Sequence, residues 1–283
     1  MHNNSMTTSD YAHPEVLVDT QWLADHLSDK TLRVLEVDMS PDRYQGAHIP
    51  GAIFINIMTA LMTEKLQLNL EVSAFEQLMS QLGITRETTV VAYGSYPGTG
   101  GFIFWLFKLF GHPDVRVLNG GYQSWIAEGR STAAALSTYA PAPYQASPIV
   151  EAFRVGSEEV MAAVNQSEKV LLDVRSQPEY NGEIFLMAPP EGSERAGHIP
   201  GAVHLEHSLT LNDDGTFKSF EDLQALFCHH GITPDKEILP YCAIGARAGY
   251  VWFVLKYLLG YPHVRNYDGS WNTWSRLPNA LVE

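Results

Sequence analysis

The apolar residues of this chain fall into short unbroken runs instead of alternating with polar ones. Residues 169–174 (KVLLDV), 202–205 and 237–241 (EILPY) are such runs. Continuous Val/Ile/Leu segments of this length predict parallel strands covered on both faces. Between and after them the period lengthens, which predicts helices over about 219–229 and 246–259. Strand and helix therefore alternate, as in small α/β layer structures. The stretch 101–111 (GFIFWLFKLFG) is apolar nearly all round, so it is expected in a core or at a domain interface. Its longest apolar run, 102–107, is far too short to cross a membrane.

The pattern occurs twice. GAHIPGAI (46–53) returns as AGHIPGAV (196–203), and GHPDVRVLNGGYQSW (111–125) returns as GYPHVRNYDGSWNTW (260–274). Offsets of 150 and 149 relate these pairs. Matching LEVD (35–38) to LLDV (171–174) aligns Asp38 with Asp173 and gives an offset of 135. That alignment leaves fifteen extra residues in the second half, around NGEIFLMAPPEGSER. Ordered landmarks of this kind mark a duplication. The expected organisation is one domain over 14–130, a linker over 131–150 and a second domain over 151–283. The linker is rich in Ala, Pro and Ser and lacks apolar periodicity, so it should run over the surface.

The 283 residues suffice for two domains, and 45% apolar content can fill two cores. Eighteen basic against 32 acidic residues give a net charge of −14. That balance argues against nucleic-acid and anionic-membrane partners. The first residues carry no basic segment followed by an apolar one, so no signal peptide is expected. Two cysteines, Cys228 and Cys242, cannot form a disulfide framework and suit a reducing, cytoplasmic setting.

Cys242 ends a predicted strand and opens a loop that leads into a helix: Cys242-Ala243-Ile244-Gly245-Ala246-Arg247. In α/β sheets ligands bind at the carboxyl ends of strands. The N–H groups of such a loop and the helix behind it stabilise negative charge at the loop's centre. A thiolate there would share that field, with Gly245 allowing a tight bend and Arg247 adding a cation. The pattern suits a nucleophilic sulfur that attacks or carries an anionic group. The first half is a control: with Tyr93 matched to Tyr241, Gly94 stands at the cysteine's place, and its loop (94–101) lacks both Cys and Arg. One active site per chain is expected.

With these motifs, including DVRSQPEY (173–180) and DGSWNTW (268–274), the chain resembles the two-domain rhodanese family of sulfurtransferases over about 14–277. The resemblance implies a tandem duplication, each domain a small mostly parallel sheet with helices on both faces. It implies a ping-pong reaction in which Cys242 takes a sulfane sulfur from a small anionic donor such as thiosulfate and passes it to cyanide, a thiol or a sulfur-accepting protein. No cofactor is implied. The amides of 243–247 would hold the persulfide charge. Arg175 matches the arginine that reaches the donor's anionic end, and Arg247 closes the loop as in bacterial thiosulfate enzymes. Family members using 3-mercaptopyruvate carry a hydroxyl where Ile244 stands, thought to join an Asp and a His that Asp38 and His48 match. Ile244 removes that hydroxyl, so thiosulfate is favoured, although Ala243 replaces the usual basic residue. Only four residues separate Cys242 from Arg247, one fewer than in the C-x5-R loop of phosphatases, which fits sulfur better than phosphate.

Other residues read as structural. His48 and His198 precede Ile-Pro-Gly in both copies, including the one without a nucleophile, so each is expected to fix a turn. Cys228 lies at a helix end beside His229 and His230, whose side chains diverge on a helix, so no metal site is expected. Trp125 and Trp274 stand at matched positions and are expected to pack.

Overall fold

The structure is a computed structural model that describes residues 10–94, 96 and 98–283. The segment before residue 10, and Ser95 and Pro97 of the cysteine-free loop, lie outside the described residues. The first half runs β1 (Leu17–Val18), α1 (Thr20–His26), β2 (Leu32–Asp38), α2 (Asp42–Gly46), β3 (Ile53–Asn56), α3 (Val72–Gln81), β4 (Thr89–Tyr93), α4 (Thr99–Leu109), β5 (Val115–Leu118) and α5 (Gly121–Ala127). The second runs α6 (Ser157–Ala163), β6 (Lys169–Asp173), α7 (Gln177–Tyr180), β7 (Val203–His204), α8 (Phe220–His229), β8 (Glu237–Tyr241), α9 (Ala246–Phe253) and α10 (Ser270–Trp274).

All strand pairs are parallel: β1-β5-β4-β2-β3 in one sheet and β7-β6-β8 in the other. The smaller sheet is extended by parallel bridges, Ile238 to Val264 and Arg154 to Asn266, which take the places of β5 and β1. The apolar runs are buried as their composition requires. The residues of β8 from Ile238 to Tyr241 are all buried, and α9 follows directly as the 246–259 pattern predicts, finishing in a π turn (Val254–Leu258).

The register corrects the alignment of the two halves. Glu36 faces Tyr93 across β2 and β4, and Asp173 faces Tyr241 across β6 and β8. Glu36, not Asp38, is therefore the counterpart of Asp173, and Asp38 corresponds to Arg175. The offset here is 137 against 150 at His-Ile-Pro-Gly, so the second half carries thirteen extra residues, not fifteen. The shared letters of LEVD and LLDV misled, because a slip of two residues keeps the strand's faces unchanged.

One continuous apolar core joins the halves. Helix α4 packs on α9, with Phe104 against Phe253 at 4.7 Å between ring centroids. The two helices approach closely at a matched pair of glycines. A Cβ on Gly101 would lie 2.9 Å from the Tyr250 ring, and one on Gly249 would lie 3.3 Å from Phe102 and Trp105. The apolar helix 101–111 is thus the interface. The Ala/Pro segment between the halves is laced onto the first half: the Ala142, Ser147 and Val150 N–H groups donate to the carbonyls of Ser80, Phe110 and Leu109.

Candidate active site

Cys242 follows β8 directly, buried at the floor of a cavity of about 380 Å³ that lies between the two halves. The turn out of the strand depends on Gly245, whose φ is +96° and whose absent Cβ would lie 2.5 Å from the Asp268 carbonyl oxygen. That left-handed turn aims the Gly245 N–H at Cys242 Sγ, 3.1 Å away. Helix α9 begins here, and its first-turn N–H groups lack intrahelical acceptors. The site is therefore pre-arranged to meet negative charge on the sulfur.

The start of α10 holds the other side of the loop. The Trp271 and Asn272 N–H groups donate to the Cys242 and Ala243 carbonyls, each at 2.9 Å, and the Cys242 N–H donates to Ser270 Oγ at 3.0 Å. The Ser270 hydroxyl donates a hydrogen bond to the Tyr267 carbonyl at 2.8 Å, and the residue takes φ +50°, a left-handed conformation for a serine.

Ala243, Ile244, Ala246 and Arg247 line the cavity with Cys242. Arg247 is bound by both terminal nitrogens to Glu179, each bond 2.7 Å long. Burial works against its charge, but Glu179 and the nearby Cys242 sulfur outweigh burial and push its pKa up. Glu179 is the N3 residue of the α7 capping box formed with Ser176. Its carboxyl is held below the ordinary range, since the Arg247 hydrogen bonds overcome the cost of burial.

Arg175 does not come to the cavity. It is fully buried, with Nε and Nη2 on Asp173 and Nη2 on the Gly197 carbonyl at 2.7 Å, and its guanidinium lies 4.6 Å over the Trp271 ring. Asp173, Gly197 and Trp271 thus hold this guanidinium against the loop's far side, while its Nη1 is buried without a hydrogen-bond partner among the described residues. The first half has the same device in other letters: Arg43 pairs with buried Glu36, which also accepts from Tyr93.

His48 and His198 act as turn-fixing residues. His48 Nδ1 lies 2.6 Å from the Tyr44 carbonyl and His198 Nδ1 lies 3.0 Å from the Tyr180 carbonyl, each ring stacked on that tyrosine. The following Ile N–H donates to Tyr93 Oη in one half and Tyr241 Oη in the other. Asp38 does line the cavity, so the structure separates it from His48. At Gly94 a Cβ would lie 2.5 Å from the Val37 carbonyl and 2.7 Å from Thr99 Cβ, so the first half has no room for the nucleophile.

Sequence reasoning missed His207, Tyr96, Leu66 and Leu186 among the lining residues. His207 is buried, with Nδ1 3.0 Å from the Val174 carbonyl, and burial with the nearby Arg247 charge pushes its pKa down to about 4. Its position just past β7 was the available signal, since ligands gather at strand carboxyl ends. Among the described residues no group of three His, Cys, Asp or Glu is placed to share a metal ion. Nor is any helix there long and apolar enough to cross a membrane.

The family description "Rhodanese-like domain" matches this chain twice, over residues 19–128 and 157–277. The chain belongs to the rhodanese family. Similar rhodanese-family proteins include the "Sulfur carrier protein TtuD" of Thermus thermophilus, 46% identical over 278 residues, covering 96% of this chain and 98% of that protein. A Haloferax volcanii protein provisionally named a thiosulfate sulfurtransferase is 39% identical, covering 98% and 99% of the two chains. Among solved structures, a persulfide-bearing form of EanB in a tetrahedral intermediate state with ergothioneine superposes with a TM-score of 0.87 at 28% identity. That match covers 96% of this chain and 71% of EanB. The anaerobic ergothioneine biosynthesis enzyme of Chlorobium limicola, bound to trimethyl histidine, gives 0.83 at 29% identity, with 96% and 71% covered.

Proposed function

We propose that this rhodanese-family protein moves a sulfane sulfur from thiosulfate to a thiophilic acceptor, cyanide or a thiol, through a persulfide on Cys242. The Cys242 thiolate attacks the outer sulfur of the donor. The S–S bond breaks, and sulfite leaves with its electron pair. The acceptor then attacks the outer sulfur of the persulfide and Cys242 leaves as thiolate, so no outside oxidant or reductant is needed. The observation that carries this reading is the Gly245 N–H on Cys242 Sγ at the floor of the cavity between the halves. Residues 151–283 are then the catalytic domain, and 14–130 the domain that completes the cavity wall. Free Cys228 and Cys242 suit a reducing cytoplasm.

Ile244 in the place of a hydroxyl, with His48 outside the cavity lining, favours thiosulfate over 3-mercaptopyruvate as the donor. Two features lower the expected efficiency with a dianion: Arg175 is enclosed, and Arg247 is paired with Glu179. A second reading is therefore supported, a sulfur relay that delivers to a partner protein. It draws on Met39 and Met187, cavity-lining residues that are 46% and 82% exposed. The likeness to a named sulfur carrier points the same way.

The test is intact-mass analysis after incubation with thiosulfate, followed by cyanide. One added sulfur on wild type, absent from Cys242→Ala and released as thiocyanate, supports the transferase reading. A persulfide that forms but passes only to protein acceptors supports the relay. Retained sulfur transfer in Cys242→Ala overturns both.

A further inference from the structure

The duplication supplies an internal control on one residue. In the first half a short hairpin bridges Met62 to Leu68; the Thr63 N–H donates to the Gln67 carbonyl at 2.7 Å and the Leu66 N–H to the Thr63 carbonyl at 3.0 Å. In the second half Leu211 bridges Phe217, the Asn212 N–H donates to the Thr216 carbonyl at 2.9 Å, and the Gly215 N–H donates to the Asn212 carbonyl at 3.0 Å. Leu66 and Gly215 thus close equivalent turns. Both are left-handed, with φ of +55° and +80°. Glycine adopts this conformation freely, whereas a leucine's Cβ disfavours it. The turn needs only a glycine, yet one copy carries a leucine.

Each hairpin crosses to the other half. The Gly215 hairpin meets α5, where Gln123 Nε2 and Ser124 Oγ donate to the Asp213 and Asp214 carbonyls. The Leu66 hairpin meets α10 beside the nucleophile. Asn272 Nδ2 donates to the carbonyls of Lys65 and Leu66 at 2.9 and 3.0 Å, while its backbone N–H holds the Ala243 carbonyl. Leu66 is therefore tied to the cysteine loop and lines its cavity. A second left-handed leucine, Leu186 at φ +55°, lines the same cavity from the extra segment of the second half. Backbone strain of this kind gathers at functional sites. Among the described lining residues Arg247 is the one Lys or Arg, and Glu179 already neutralises it, with Asp38 adding a further carboxylate.

We infer that Leu66, with Leu186, is a specificity-determining residue that fits the cavity to a sulfur acceptor with an apolar body and no anionic group beside its sulfur, a hydrophobic thiol. The inference rests on Cys242 as the sulfur carrier. The acceptor thiolate attacks the outer persulfide sulfur, the S–S bond breaks, its electron pair returns to Cys242, and the acceptor leaves as the new persulfide.

The test compares alkylation of Cys242 by neutral, aromatic iodoacetanilide and by anionic iodoacetate. Each rate is divided by that reagent's rate with 2-mercaptoethanol and read from the mass of the Cys242 peptide. Wild type should favour the neutral reagent by about tenfold or more. Leu66→Gly, which copies Gly215, and Leu66→Asn, which tolerates the left-handed turn, should bring the ratio to within about threefold of the free thiol. The urea midpoint of Leu66→Gly should hold or rise. An unchanged ratio in both variants, or no preference in wild type, overturns the inference. Failure of the transfer reading is seen separately, as absence of any persulfide on Cys242 with thiosulfate or with an organic persulfide donor. A ratio that still collapses in the Leu66 variants would then support the cavity's apolar selectivity alone.

Discussion

Arg247 grips Glu179 through two 2.7 Å bonds, so the cation that closes the cysteine loop arrives in the cavity already paired. Glu179 in turn caps α7, which ties the loop's charge to the integrity of a neighbouring helix. Glu179→Gln should loosen that grip and leave Arg247 more positive toward an anionic donor. The KM for thiosulfate should fall, while stability drops by roughly 1–3 kcal/mol because a hydrogen-bonded charge pair is broken. Steady-state kinetics and urea unfolding measured on the same variant check both halves. A raised KM would mean that Glu179 positions Arg247 more than it neutralises it.

Gly245 is the backbone hinge of the site. Gly245→Ala places a Cβ at φ +96° and 2.5 Å from the Asp268 carbonyl. The expected cost is about 1–3 kcal/mol of stability from the strained backbone. Persulfide formation should be lost, because the N–H now aimed at Cys242 Sγ would move. Circular dichroism melts and mass detection of the persulfide distinguish a misplaced loop from an unfolded protein.

The first half should resist repair. Gly94→Cys puts a side chain against the Val37 carbonyl and Thr99. Overpacking of this kind costs about 1–3 kcal/mol. In a Cys242→Ala background the new cysteine should gain no persulfide, whereas a persulfide at 94 would show that the inactive half kept a working cradle.

Acid should weaken the fold before its carboxylates titrate. Burial pushes both His207 and His112 down from 6.5 to about 4. In the unfolded chain each takes up a proton near 6.5, so the unfolded state binds more protons between that value and about 4. Their contribution is full above pH 6.5, is lost as pH falls toward 4, and changes no further below. Each histidine accounts for up to about 3 kcal/mol. Urea midpoints measured across this range should decline, and His207→Gln should make the decline shallower. Identical slopes would exclude His207 from the effect.

The sequence by itself determined the duplicated α/β plan, the position of Cys242 at the mouth of a strand–loop–helix turn, and the loss of that turn's chemistry in the first half. These are local properties. Apolar runs, a glycine at a tight bend and the residue after a strand are all written within a few positions. The tertiary structure decided what each charged side chain does. Arg175 reads like a substrate contact, but burial under the Trp271 ring and against the Gly197 carbonyl turns its guanidinium back onto Asp173, two residues earlier. Strand register replaced Asp38 with Glu36 as the counterpart of Asp173. Leu66 carries no local mark of function, and His207 only its place just past β7. They reach the cavity through contacts across the domain interface and past the end of a neighbouring strand. Periodicity fixes which face a residue takes within its own element. Which partner waits on that face depends on how two distant elements pack, and that is settled only when the core joining α4 and α9 is closed.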